Sequence, residues 1–505
     1  MLFLTFLDTT IVSVALASIQ TGLHAGVSSL QWVVNGYALT FAGFMLAAGA
    51  LGDRFGRRRV MLGGVAIFCA GSVLGAVAPS VPWLIAGRVV MGLGAAASEP
   101  GTLSVIRHLF PDDRVRAQAL GAWAAVSGLA IALGPVIGGT LVGVAGWRAV
   151  FWFNVVVGTV IFASATATVP ESSDPDTAAR DPAGLLLGVV ALTALTFGVI
   201  EGETAGYASP LILGLFVGGA VAAVAFVSVE RRVESPLLQP SAVRRPPFDA
   251  ALAVAFVISF GLFAIFFFVA LYLQIIVGYS GYRTALVFLP MAAVMVAASA
   301  FTGRWVARQG AAVPMTAGCV AGGAGILVTE LVLQHVSFGA LAAGLSLAGA
   351  GVGVALVPVT SVALAEVPAR RSGMAASAAN TSRELGAVFG VAALGALVNG
   401  QLTSDLTRRL HAIGVPSSFS GLVISALETG RVPGGGKVPA GYEKQYGEIV
   451  AKVIDAAYAA FRSGLDVALL TAGALVLAAA PVAWFTLHRR PPAAAPLERG
   501  GGRPW

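Results

Sequence analysis

Runs of about 20 apolar residues, each closed by a cluster of charge, glycine or proline, recur from one end of this chain to the other. A helix of that length crosses the ~30 Å hydrocarbon core of a bilayer. The runs place spans near 1–21, 31–51, 60–78, 82–102, 116–141 and 149–169, then 183–200, 210–229, 249–275, 283–303, 312–333, 338–362, 374–399 and 466–487. Fourteen spans would use roughly 300 residues and leave short loops. Charged residues make up 11% of the 505, against roughly 25% in a soluble domain, so the chain has too few to face water. The sequence therefore predicts an all-α polytopic membrane protein. A soluble enzyme, a fibrous chain and a single-span receptor are excluded.

Arginine sets the expected orientation. Loops after even-numbered spans hold Arg54, Arg57, Arg58, Arg59, Arg107, Arg114, Arg116, Arg180, Arg231, Arg232, Arg244, Arg245, Arg308, Arg370 and Arg371. Short loops after odd-numbered spans hold little beyond Arg148 and Arg283. The positive-inside rule then puts both termini in the cytoplasm, the segment 400–465 outside, and 488–505 as a cytoplasmic tail. Residues Tyr442–Phe461 read as an amphipathic helix leading into the last span. Met1 to Ile19 has an Ala15-Leu16-Ala17 site but no basic lead, and Asp8 interrupts it, so it reads as a span rather than a cleaved signal. That span begins at Met1 with no cytoplasmic lead, which leaves open a start codon upstream.

The net charge of +7 lies in short loops, where topology explains it, and nucleic-acid binding is not expected. Cys69 and Cys319 each sit in an apolar run, so neither a disulfide nor a metal site is expected. No Gly-rich loop ending in Lys-Ser/Thr appears, and no Gly-x-Ser-x-Gly elbow. ATP-driven work and hydrolysis thus lack candidate residues, and no cofactor is expected. Heavy use of Arg, Ala, Gly and Val, with lysine at 437, 444 and 452 alone, suggests a GC-rich bacterial source and hence a bacterial plasma membrane.

Two loops repeat one pattern. Gly49-x-x-x-Asp53-Arg54-x-Gly56 follows the second span, and Gly303-x-x-x-Ala307-Arg308-x-Gly310 follows the tenth. Repeated halves with a substrate site between them are a common transporter plan. In the fifth span Gly134 and Gly138 stand i, i+4 on one helix face, so a partner helix can approach closely; Gly139 extends that face and Pro135 removes a backbone donor.

Leu7-Asp8-Thr9-Thr10-Ile11-Val12, the run Gly49 to Arg59 and Arg88-x-x-x-Gly92-x-Gly94 together resemble the major facilitator superfamily. With Gly134-Pro135-Val136-Ile137-Gly138-Gly139 and Gly146-Trp147-Arg148…Asn154, the chain resembles its fourteen-span drug:proton antiporter branch along essentially its whole length. The resemblance implies two six-helix bundles, 1–169 and 249–487, the second carrying the insert 400–465, with two extra central spans and linkers at 170–248. It implies that Gly49, Asp53, Arg54, Gly56 and Arg57 form a latch that breaks during transport, and that the Gly134–Gly139 face closes one side of the cavity.

Charges inside spans cost at least ~2.5–3.5 kcal/mol, so they tend to mark function. They are Asp8, Arg88, Glu99 and the adjacent Arg383 and Glu384. Asp8 is the expected proton carrier, with Arg88 tuning it. Eleven residues turn a helix to within ~20° of the same face, so Arg88 and Glu99 share a face about 16 Å apart. Glu99, near the cytoplasmic mouth, with Asn380 and Arg383, is expected to line a substrate cavity; a snorkelling, interfacial Glu99 is the plain alternative, and Arg383–Glu384 equally suits a local contact. The resemblance implies proton-coupled export of amphipathic, often cationic small molecules by a chain that works as a monomer. The alternatives are an exporter of one endogenous metabolite, lipid or siderophore, and a non-transporting sensor of the same fold.

Overall fold

The apolar runs become helices because lipid offers the backbone no hydrogen bonds, and a helix satisfies its own. The structure, a computed structural model, describes residues 1–109, 126, 129–130, 133–171, 181–233, 245–333, 337–367, 372–415 and 448–487. Its helices are α1 (Leu2–Leu23), α2 (Val27–Phe55), α3 (Arg57–Ala76), α4 (Val81–Leu109) and α5 (Leu133–Ala145). Next come α6 (Arg148–Thr168), α7 (Pro182–Ala205), α8 (Pro210–Glu230), α9 (Pro246–Ala264), α10 (Gly281–Gln309) and α11 (Ala312–Leu333). The set closes with α12 (Phe338–Ala365), α13 (Ser372–Ala412) and α14 (Glu448–Leu487). Twelve of these fourteen are long and apolar enough to cross a membrane; α5 is described over 13 residues, and α2, with 29, is the more polar exception. The expected span at 116–141 lies partly outside the described residues.

One packing pattern occurs twice. In the first six helices α4 packs on α2 and α3, and α3 on α6; eight helices later α12 packs on α10 and α11, and α11 on α14. The repeated loop falls inside this pattern: α2 ends at Gly56 with φ 109°, and α10 ends at Gly310 with φ 77°. A residue with a Cβ is strained at such angles, which accounts for a glycine in both loops. The extra pair is placed at a seam, with α7 packing on α2 and α13 and α8 packing on α7. Trp32 Nε1 donates to Glu201 Oε1 at 3.0 Å across that contact.

Three expectations are corrected. Helix α13 runs to Ala412 instead of ending at 399. Helix α14 starts at Glu448 instead of 466, so the amphipathic stretch expected at Tyr442–Phe461 is, from 448 on, continuous with the last span. Segment 400–465 is therefore helical at both ends. Leu402, Leu406 and Leu410 of α13 and Ile454, Ala457, Tyr458 and Phe461 of α14 share one buried cluster that holds these extensions. Asp405 also pairs with Arg408 and Arg409 one turn on. Third, α9 continues through two π-helical turns, Ile265–Val269 and Tyr272–Ile276, where a plain helix was expected.

Candidate functional site

Helix α1 is buried along most of its length, and Asp8 has no solvent exposure at all. A carboxylate there must find donors on neighbouring helices, and it does. Arg88 of α4 donates through Nη1 to Asp8 Oδ2, and Asn154 of α6 donates through Nδ2 to Asp8 Oδ1 at 2.6 Å. The guanidinium makes two further contacts. Nε donates to the carbonyl of Val33 at 2.8 Å, and the plane lies 4.4 Å from the ring centroid of Tyr37. Tyr37 in turn donates its hydroxyl to Thr5 O at 3.1 Å. Four helices are thereby joined around one buried ion pair.

Glu99 lies on the same helix as Arg88, as expected, but not at an open mouth. It is 1% exposed, and among the described residues neither of its carboxylate oxygens has a hydrogen-bond partner. A snorkelling Glu99 is therefore excluded. The charges acting on it are Arg383 and Glu384 of α13. Arg383 stacks its guanidinium 5.0 Å from the Phe6 ring of α1, Glu384 is buried beside it, and Asn380 lies half-buried one turn earlier. Asp8, Arg88, Glu99 and Glu384 are all sealed from solvent in this state.

The fifth-span motif does what its small residues permit. A Cβ at Gly138 would come within 2.7 Å of Ile11 O, and one at Gly134 would strike Thr10 Oγ1, so both glycines admit α1. Buried Pro135 shares that turn. Gly139 faces elsewhere: its Cβ would lie 2.6 Å from Ala285 Cβ and against Gly281 O, both on α10. One motif thus packs within the first six helices and touches the last six.

Of the expected latch, Gly49, Asp53 and Arg54 lie on α2, and the surroundings of all three fall outside what the structure describes. Gly56 makes the turn, and Arg57 opens α3. The partner that sequence reasoning missed is Glu171, past the end of α6. It accepts from the Arg58 backbone N–H at 3.0 Å and lies 3.7 Å from Arg59 Nε. Arg58 also donates to Thr166 O. A carboxylate on the first turn of α3 is well placed against the helix dipole. Tyr37 and the role of Asn154 were missed too; a hydroxyl and an amide inside apolar spans were the available signals.

The sequence profile described as Major Facilitator Superfamily matches residues 1–391. A relative named Multidrug resistance protein Stp, from Mycobacterium tuberculosis (strain CDC 1551 / Oshkosh), is 34% identical over 487 residues, covering 96% of this chain and 89% of its own. One named Tetracenomycin C resistance and export protein, from Streptomyces glaucescens, is 30% identical over 97% of this chain and 91% of its own. Among solved structures, a bacterial homolog of the human lysosomal transporter Spinster superposes with a TM-score of 0.58 at 18% identity, covering 96% of this chain and 94% of that one. That likeness is one of fold.

Proposed function

Because the chain belongs to the Major Facilitator Superfamily, we propose that it is a bacterial plasma-membrane exporter of amphipathic, often cationic small molecules, driven by exchange for protons. The observation that carries this reading is the buried Asp8–Arg88–Asn154 network, which ties a titratable group to three helices at once. Protonating Asp8 removes the charge that holds Arg88, so Arg88 is released toward its other contacts at Val33 and Tyr37. A proton gradient then acts on the packing of α1 against α4 and α6, which alternating access requires. Glu99, Asn380 and Arg383 face the cargo, and the loop at Gly56 together with the Gly134–Gly139 face opens and closes the two ends. No cofactor and no partner chain enter this scheme. One relative is named for multidrug resistance and another for resistance to and export of Tetracenomycin C alone, so a narrow cargo range is the second reading.

The test is Asp8→Asn, which keeps shape and removes the titration. In everted vesicles, gradient-driven uptake of a fluorescent cation is expected to vanish while the protein still purifies folded. Concentrative uptake by Asp8→Asn would sink the coupling role of Asp8.

A further inference from the structure

Among the buried acids of the described residues, two sites are treated in opposite ways. Asp8 has a donor on each oxygen and a guanidinium matched to its charge. Glu99 has none, and Glu384 Oε2 has none, although the two residues are 1% and 3% exposed. A carboxylate ion taken out of water without a donor costs several kcal/mol, and nearby charge has to compensate it. The cation acting on both is Arg383. Two acids therefore share one guanidinium, and the site lacks one positive charge.

The remaining groups around the pair do not supply it. Arg88 on α4 is engaged by Asp8 and Val33. Tyr37 on α2 feels Asp8, Arg88, Glu99 and Glu384 together, but its hydroxyl donates to Thr5. From α1 the neighbour of Arg383 is the uncharged Phe6 ring. The unpartnered oxygens of Glu99 on α4 and Glu384 on α13 belong to opposite six-helix sets.

We propose that Glu99 and Glu384 form an ion-exchange site across the two halves, which carries one proton when empty and releases it to water when the ammonium, amidinium or phosphonium group of a cargo binds. The charge balances: the cation enters, one proton leaves a glutamic acid oxygen for water, and the site's net charge is unchanged. An apolar neutral cargo displaces nothing. The site lies on both halves, so its occupant bears on the contact that must part when the chain changes its open side. The direction of transport rests on the exporter reading above, whereas the exchange itself does not.

The experiment uses the full chain in detergent, without a gradient, and tetraphenylphosphonium as the probe. Binding is measured by calorimetry, and proton release by a pH dye in weak buffer. Wild type is expected to release about one proton per cation bound. Glu99→Gln and Glu384→Gln are each expected to weaken binding about tenfold and to abolish the release, and the double variant to add little more. Glu99→Asp and Glu384→Asp keep the charge and are expected to restore release. If a Gln variant does not fold, its Asp counterpart decides, since loss of release there overturns the proposal. Wild-type affinity and release in the folded Gln variants overturn it as well. Asp8→Asn is expected to keep the release, which separates this site from Asp8. Unchanged binding sinks the exchange site alone, and concentrative uptake by Asp8→Asn sinks the coupling reading alone.

Discussion

Arg88 performs three tasks with one planar group: it pairs with Asp8, donates to Val33 and stacks on Tyr37. A lysine has the charge but neither the fork nor the plane. Arg88→Lys is therefore expected to fold and to lose at least about tenfold in export, equivalent to ~1.4 kcal/mol. Arg88→Ala leaves Asp8 buried and unpaired, and removing one partner of a buried pair costs about 3–5 kcal/mol. Its loss should appear in thermal denaturation as well as in transport. Equal thermal stability of the two variants would argue that the pair is not structurally coupled to the bundle.

At the scale of the element, α5 separates two roles that its motif runs together. The Gly138 position abuts Ile11 of α1, and the Gly139 position abuts Gly281 and Ala285 of α10. Overpacking a tight contact costs about 1–3 kcal/mol. Gly138→Val is expected to show that cost as lower thermal stability. Gly139→Val instead wedges α5 from α10, and should raise the labelling of a cysteine placed at Ala285. Gly143, with nothing within 4 Å, is the control, and Gly143→Ala should be neutral in both assays. Identical behaviour of the 138 and 139 variants would mean that the motif acts as one packing face. The same scale explains the long last helices. Leu402, Leu406, Tyr458 and Phe461 pack their extensions into one shared cluster.

For the whole molecule, the arginine pattern assigns a side to every loop. By the positive-inside rule segment 400–465 is expected outside and both termini inside. A cysteine introduced at Gly435 is expected to react with an impermeant maleimide in intact cells, while one at Arg308 reacts in opened cells only. Reversed labelling would invert the topology and with it the direction of export. The seam between the halves also has a polar lining. Gln31 and Asn35 of α2 are fully buried with no hydrogen-bond partner among the described residues, and Gln31 presses on Gly395 of α13. Helix α7 packs against both of those helices, so the extra pair of spans is positioned to brace this seam.

The chain's length scale and solvent are local properties, which is why the sequence alone determined the all-helical fold, its repeat and its membrane setting. Apolar runs compared with hydrocarbon thickness locate α1, α6, α8 and α11 to within a few residues, and the paired turns at Gly56 and Gly310 were visible as spacing. Asp8, Arg88 and Glu99 stood out for the same reason, as charges where lipid tolerates few. What tertiary structure decided is which of them is compensated. Asp8 receives donors from 80 and 146 residues away, and Glu99, one helix face from Arg88, receives none. Nothing in the local sequence distinguishes the two acids, because a buried charge is satisfied by groups on other helices, and only packing brings those groups near.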